Sequence, residues 1–277
     1  MSVRIVSANT ADSATLSSTD FVATLPVGNL QLEGRGRVAR TVNVTGDKVI
    51  LGNFAGASVV SCAVLYNHNL TSQATFRLQL YAAANQTGSI VYDTGAVVAL
   101  PALGWGEFGW GLTPWGGTVF SGWGSAFSDF WFTAVGALSF KITLNDAANP
   151  AGYIQVKRLL IGPYFEPAVN VEYGLQLSWQ DNSTQIRTQG GSLRTDNRVL
   201  FRTLQARLSR MTTAERAVFT ELVRTIGLRK ETFVSVWPDA GGSLERDYAL
   251  LGKFTKMPQI TNPNPANYVG DIQFEEV

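Results

Sequence analysis

The chain is short of the residues that usually carry chemistry. Its 277 residues include one cysteine and one histidine. A single thiol closes no internal disulfide, so the fold must hold without a covalent staple. Cys62 lies in the apolar stretch 59–66 and is expected to fill core space as a small hydrophobe. Zinc takes three or four His, Cys or carboxylate ligands, and His68 with Cys62 six residues away cannot supply them. No serine or cysteine nucleophile motif accompanies His68, so triad chemistry has no support. In Tyr66-Asn67-His68-Asn69-Leu70 the histidine follows an apolar strand, and it reads as a strand-end residue with its ring hydrogen-bonded locally.

An excess of one charge is lacking too. Lys and Arg number 22 against 21 acidic residues, with a pI near 7.8, so the electrostatic footprint of a nucleic-acid or anionic-membrane binder is missing. No run approaches the roughly 18 apolar residues of a membrane span, and residues 1–20 contain no uninterrupted apolar core of signal-peptide length. The expectation is a soluble protein made inside the cell. Gly34-Arg35-Gly36-Arg37 lacks the following helix that makes a phosphate site and reads as a basic turn. Among Asp93, Glu107, Asp129, Asp146 and Glu166 nothing singles out an acid pair for glycoside hydrolysis. No catalytic residue, cofactor or metal is expected, and a glycosidase ranks last among the readings.

What the chain does have is tryptophan in one place. Residues 104–132 hold five of its seven tryptophans, Trp105, Trp110, Trp115, Trp123 and Trp131, among eight glycines. A buried tryptophan covers roughly 150–250 Å². Five left in water would exceed the largest apolar patch of a typical monomer, roughly 300–600 Å², so the segment needs a fold, a ligand or a partner. Trp131, with Phe130 and Phe132, suits a sandwich core. For Trp105, Phe108, Trp110, Trp115 and Trp123, in the Gly/Trp-rich loop 104–125, two functional readings compete. One is a stacking platform for sugar rings, with glycine letting the ligand approach the backbone. The other, which the sequence favours, is a protruding loop buried in a neighbouring subunit, where aromatic residues are the usual anchors.

Composition divides the chain in two. Residues 41–166 carry five basic and six acidic side chains, residues 167–277 thirteen and twelve. Pro163 and Pro167 flank the change, placing a boundary near 166 and domains at 1–166 and 167–277. The first half reads as short strands at 48–51, 58–66, 74–82, 90–94, 137–144 and 153–161, rich in Val, Ile, Leu, Phe and Tyr between turn residues. In 75–81, Phe76, Leu78 and Leu80 alternate with polar residues, as an antiparallel sandwich requires.

The second half adds a single helix, at about 213–226. Thr212 and Glu215 form a capping box, Gly227 suits an αL cap, and Val218, Leu222 and Ile226 with Phe219 and Val223 make the stripe that packs on a sheet. Strands are expected at 171–179, 184–188, 199–208, 232–237, 247–254 and 268–274. Arg194, Arg198, Arg202, Arg207 and Arg210 crowd this half, either as a subunit interface or as a solvated sheet face.

Certain segments are familiar in combination. Pro26-Val27-Gly28-Asn29-Leu30, Leu65-Tyr66-Asn67-His68-Asn69-Leu70, Phe76-Arg77-Leu78, Tyr92-Asp93-Thr94-Gly95 and Gly152-Tyr153-Ile154-Gln155-Val156-Lys157-Arg158 resemble, in order and spacing, the discoidin-like, galactose-binding-type jelly roll of bacteriophage tail proteins over about residues 20–166. The second half, from residues 198–210 into the capped helix and on to Tyr248-Ala249-Leu250-Leu251-Gly252-Lys253-Phe254 and 268–277, looks like the tail-tube β-sandwich with a flanking helix of tail tube and distal tail proteins. The order is reversed relative to the usual distal tail protein.

The resemblance implies an all-β protein with one helix, a galactose-binding-like jelly roll followed by a tail-tube-like sandwich. It further implies a structural role in a phage tail tip or baseplate, as a cyclic homo-oligomeric ring, six copies in the family, that links the tail tube to the host-attachment apparatus. Other tail and baseplate proteins would be partners, and the location would be the distal end of the tail of a virion made in the host cytoplasm. The alternative is a host-glycan-binding adhesin using the tryptophan loop.

Overall fold

The computed structural model describes residues 2–34, 36–101, 103, 106, 117–123 and 125–277. They form two compact units: residues 6–164 with 240–246, and residues 1–5 with 165–239 and 247–277. The first five residues group with the C-terminal unit because Arg4 and Ile5 pair with Ser235 and Val234.

The N-terminal unit is built on two long strands, Lys48–His68 and Phe127–Asn145, where the sequence suggests shorter pieces. They pair antiparallel along most of their length, with register breaks between Asn53 and Ser58 and between Val60 and Cys62. Exposed Ala55, Gly56 and Ala57 interrupt the apolar pattern at that first break, which is why the sequence reads as two strands. The first part of Lys48–His68 lies in a layer with Thr15–Ser17, and the end of Phe127–Asn145 there pairs Thr75–Tyr81, which in turn pairs Ile90–Asp93. The second part pairs Gln155–Gly162, which carries Ala39–Arg40 at its edge.

Phe76, Leu78 and Leu80 are fully buried, as their alternation predicts, and Phe76 stacks on Phe130 with ring centroids 4.1 Å apart. Phe130, Trp131 and Phe132 are half-buried strand residues and not the full core expected. Cys62 is buried, its thiol donating to the Gly162 carbonyl at 3.2 Å. Arg158, also buried, donates twice to Asp12, at 2.6 and 2.9 Å, and once to the Leu30 carbonyl, tying the N-terminal turns to the sandwich. Gly162 is obligatory for packing: a Cβ there would collide with the Ala8 carbonyl oxygen.

The C-terminal unit is built on a sheet in the order Tyr164–Phe165, Arg4–Val6, Thr232–Ser235, Ala249–Phe254, Asn267–Glu276, Phe201–Met211, Gln176–Gln180, with Ile260–Asn264 on Asn267–Glu276. Its helix, Thr213–Ile226, has the predicted limits. The Thr212 hydroxyl accepts from the Glu215 N–H at 3.2 Å and the Glu215 carboxylate accepts from the Thr212 N–H at 2.7 Å. Gly227 closes the helix at φ 55°, but with ψ −153° it is not the αL cap expected.

Phe219, Leu222, Val223 and Ile226 bury against Leu204, Leu208, Val234, Ile272 and Phe274. Val218 is 52% exposed and leaves the expected stripe, since it lies on the solvent side of the same turn. Leu222→Ala is expected to cost about 2–5 kcal/mol by opening a cavity, read as a lowered melting temperature; an unchanged one would contradict the packing.

The fold is therefore mostly β, with two corrections. A second helix, Gly242–Tyr248, was not expected: seven residues with none buried give no apolar period to read. A separate hairpin, Thr184–Arg187 with Leu193–Asp196, stands outside the main sheet.

Candidate functional site

The described residues that flank the glycine-tryptophan segment belong to a firmly hydrogen-bonded corner. The Lys48–His68 strand ends where Asn67 takes φ 52°, and the Asn67 N–H donates to the Ala126 carbonyl at 2.6 Å, immediately before the Phe127–Asn145 strand begins. Asn69 fixes the turn from the other side, donating to the Tyr153 carbonyl at 2.9 Å and accepting from the Gln155 N–H at 2.7 Å. Asn149 donates to the Asn69 carbonyl at 2.8 Å and to buried Asp146 at 2.9 Å, and Asp146 in turn accepts from the Thr71 hydroxyl at 2.6 Å. The Asn-His-Asn-Leu motif is thus a structural corner.

His68 is the buried pin of this corner. Its Nδ1 accepts from the Leu70 N–H at 3.3 Å, which places the ring proton on Nε2, facing the Ser128 hydroxyl at 2.9 Å. The Ser128 hydroxyl in turn donates to the Ala99 carbonyl at 2.6 Å. A histidine beside a serine suggests a nucleophile and base, but here the imidazole donates to the serine and has no free lone pair to take its proton. Burial pushes the ring pKa down to about 3, so the neutral form persists into acid. The sequence pointed to a locally bonded strand-end histidine. The serine partner, sixty residues away, was not legible.

Ala99 and Leu100, both buried, lead into the segment, and the Leu103 N–H donates to the Gly117 carbonyl at 3.1 Å on the way back. Leu103 and Gly117, on either side of 104–116, are thus bonded to each other. Trp105, Phe108, Trp110 and Trp115 lie outside the described residues. Trp123 lies within them, half-buried, with its N–H on the Phe120 carbonyl at 2.8 Å. The Arg246 guanidinium sits 4.2 Å over its ring and donates to the Val119 carbonyl at 2.7 Å. One face of Trp123 is thus covered by a cation. Trp131 donates its indole N–H to Asp129 at 2.9 Å and meets Tyr164 edge-on.

The five arginines do not share a face. Arg202 points into the core, buried, and is held by Glu276 in a two-point pair at 2.9 and 2.7 Å. Arg207 lies on the opposite face of the same strand, beside Glu172 at 3.5 Å and Asp271 at 3.8 Å. Arg210 takes φ 61° in the irregular stretch between Leu208 and Met211, where the register with Asn267–Glu276 shifts. Arg194 belongs to the separate hairpin, and Arg198, just beyond it, pairs loosely with Asp196 at 3.4 Å. The alternation of a strand separates what sequence proximity had grouped. Among the described residues no three His, Cys, Asp or Glu side chains gather as for a metal ion, and no helix is long and apolar enough to cross a membrane.

Comparison with known proteins yields no matching family model and no matching curated sequence. Similar folds occur among solved structures. A chitosan-binding module of a chitosanase/glucanase from Paenibacillus sp. IK-5 is 12% identical, covering 56% of this chain and 99% of the module, with a TM-score of 0.39. A family 32 carbohydrate-binding module from C. perfringens, solved with galactose, is 13% identical over 58% of this chain and 98% of its own, at 0.38. The lectin domain of lectinolysin, solved with Lewis B antigen, is 15% identical over 56% and 95%, also at 0.38. Likenesses of that order bring no ligand to this chain.

Proposed function

We propose that this chain is a non-enzymatic carbohydrate-binding protein whose N-terminal, galactose-binding-like unit engages glycan through the segment carrying Trp105, Phe108, Trp110 and Trp115. The observation that supports this most lies in the described flanking residues: His68, Ser128, Ala99, Asn67 and the Leu103–Gly117 bond form one hydrogen-bonded corner of the sandwich on either side of the four aromatics in sequence. Aromatic faces stack on the C–H surfaces of sugar rings, and a fixed root lowers the ordering cost on binding. The buried, donating His68 supports a binding role over a catalytic one. Replacing Trp105, Trp110 and Trp115 together by alanine should leave the melting temperature unchanged and abolish retention on immobilised glycans. Equal retention by the variant would overturn the proposal.

A second reading rests on the other unit. All eight residues of the Thr184–Arg187 and Leu193–Asp196 hairpin are exposed, Ile186 at 68% and Leu193 at 53%, and Val199 and Leu200 follow, exposed as well. Apolar side chains on an isolated two-stranded hairpin favour a protein partner. This supports the assembly role implied by the resemblance to phage tail proteins: a self-associating component of a tail tip or baseplate, at the distal end of the virion, with the glycan-binding unit turned to host attachment. Light scattering should show an oligomer that Ile186→Asp with Leu193→Asp dissociates; a monomeric parent chain would contradict it.

A further inference from the structure

The C-terminal unit carries a concavity of its own, about 500 Å³ in volume, on the sheet face opposite the helix. Register makes its floor. Gln176 stands opposite Gln205, and Gln205 opposite Gln273, so three adjacent strands contribute one glutamine each to a single row. Strands lie about 4.7–4.9 Å apart, and the row is therefore a ladder of amides with that spacing. The next rung pairs Arg207 with Asp271. Alternation puts Leu204, Ala206, Ile272 and Phe274 of the same two strands into the core, leaving this row facing out.

Walls distinguish this face from an ordinary wet sheet. On one side the chain passes through Glu172, Tyr173 and Gly174, held by the Glu172 N–H on the Arg207 carbonyl at 2.9 Å; on the other it passes from Thr255, whose N–H bonds the Gln273 carbonyl at 3.1 Å, to Lys256, Met257 and Gln259. Tyr173 is fully exposed, and Met257 is exposed beside the amides. Among the described residues no hydrogen bond engages the side-chain amide of Gln176, Gln205, Gln259 or Gln273. The four charged lining groups, Glu172, Asp271, Arg207 and Lys256, cancel in sign, and Arg207 leans on both acids.

Each free amide offers two donors and an acceptor, the pattern that matches vicinal hydroxyls, while Tyr173 and Met257 offer apolar surface to ring C–H groups. A balanced lining gives no preference for an anion or a cation. The volume falls in the range of about 300–1,000 Å³ typical of ligand sites. We infer that this concavity is a second binding site, specific for an uncharged oligosaccharide, separate from the tryptophan segment. A row of amides at strand spacing suits an extended chain of sugars lying across the strands.

The test is titration of the full chain with cellotetraose, xylotetraose, triacetylchitotriose and lactose, with heparin hexasaccharide and an acidic and a basic hexapeptide as charged and peptidic controls, followed by calorimetry. Gln205→Ala with Gln273→Ala and, separately, Tyr173→Ala should keep the parental melting temperature, since these side chains face solvent. Saturable binding of at least one neutral sugar, weakened tenfold or more by either variant and unchanged by the Trp105, Trp110 and Trp115 triple variant, supports the inference. It is overturned by no saturable binding of any neutral sugar, by binding that the variants leave unchanged, or by preferential binding of a charged or peptidic control. Because the triple variant reports on the tryptophan segment alone, failure of one site leaves the other readable.

Discussion

Arg202→Ala should be among the most destabilising single substitutions in the chain, lowering stability by about 3–5 kcal/mol. Both partners are shielded, the side chains of Arg202 and Glu276 being 1% and 9% exposed. The guanidinium bonds both carboxylate oxygens, a third bond runs to the Asp247 carbonyl at 3.2 Å, and the Arg202 N–H also donates to Glu276 at 3.1 Å. Removing the arginine strands a desolvated carboxylate beside the core, and the cost is that of the unpaired charge more than of the lost attraction. Replacing both partners together, Arg202→Met with Glu276→Leu, should therefore recover most of the loss. The denaturant midpoint at constant m-value reads both. A loss under about 1 kcal/mol for the single variant would show the pair to be solvated, as surface pairs are.

Acid is expected to destabilise the N-terminal unit through His68. Its pKa is about 3 folded against an ordinary value of 6.5, so between those limits the unfolded chain binds a proton that the folded chain refuses. Stability is fully present above pH 6.5 and falls as the pH drops toward 3, with a limiting slope of about 1.4 kcal/mol per pH unit. Asp93 acts in a different window. Hydrogen bonding from Arg77 holds its carboxyl well below the usual carboxylate range, so its contribution is lost only below the ordinary value of 3.8. Above about pH 5 the histidine therefore dominates the difference between the two groups. His68→Gln keeps a polar group at the corner without titrating there, and should flatten the dependence between pH 6.5 and 5. An unchanged slope would mean that the ring is protonated in place and that the Leu70 N–H does not bond to Nδ1.

These two residues also show what could be read from the sequence and what could not. Local signals carried over: the Thr212 and Glu215 capping box sits where the helix begins, and the alternation of Phe76, Leu78 and Leu80 marks a buried strand face. Those patterns depend on neighbours within one turn or one strand. Arg202 looked like its surface neighbours because its partner lies 74 residues away, and only strand register shows that it faces inward. The glutamine row is illegible for the same reason, since Gln176, Gln205 and Gln273 meet only through pairing across three strands. Val218 shows the opposite limit, where a periodic stripe was drawn one residue too wide. Of the expected loop residues, Trp123 alone is described, and the covering of its ring by Arg246 involves a short helix with no apolar signature.

The central claim, glycan recognition by the tryptophan segment, is tested most directly by the seven indole N–H signals of the full chain in a two-dimensional NMR titration against the glycans it retains. The signals of Trp105, Trp110 and Trp115 are expected to shift saturably while those of Trp179 and Trp237, in the other unit, stay in place. Saturation of binding with the Trp105, Trp110 and Trp115 signals unmoved would contradict it.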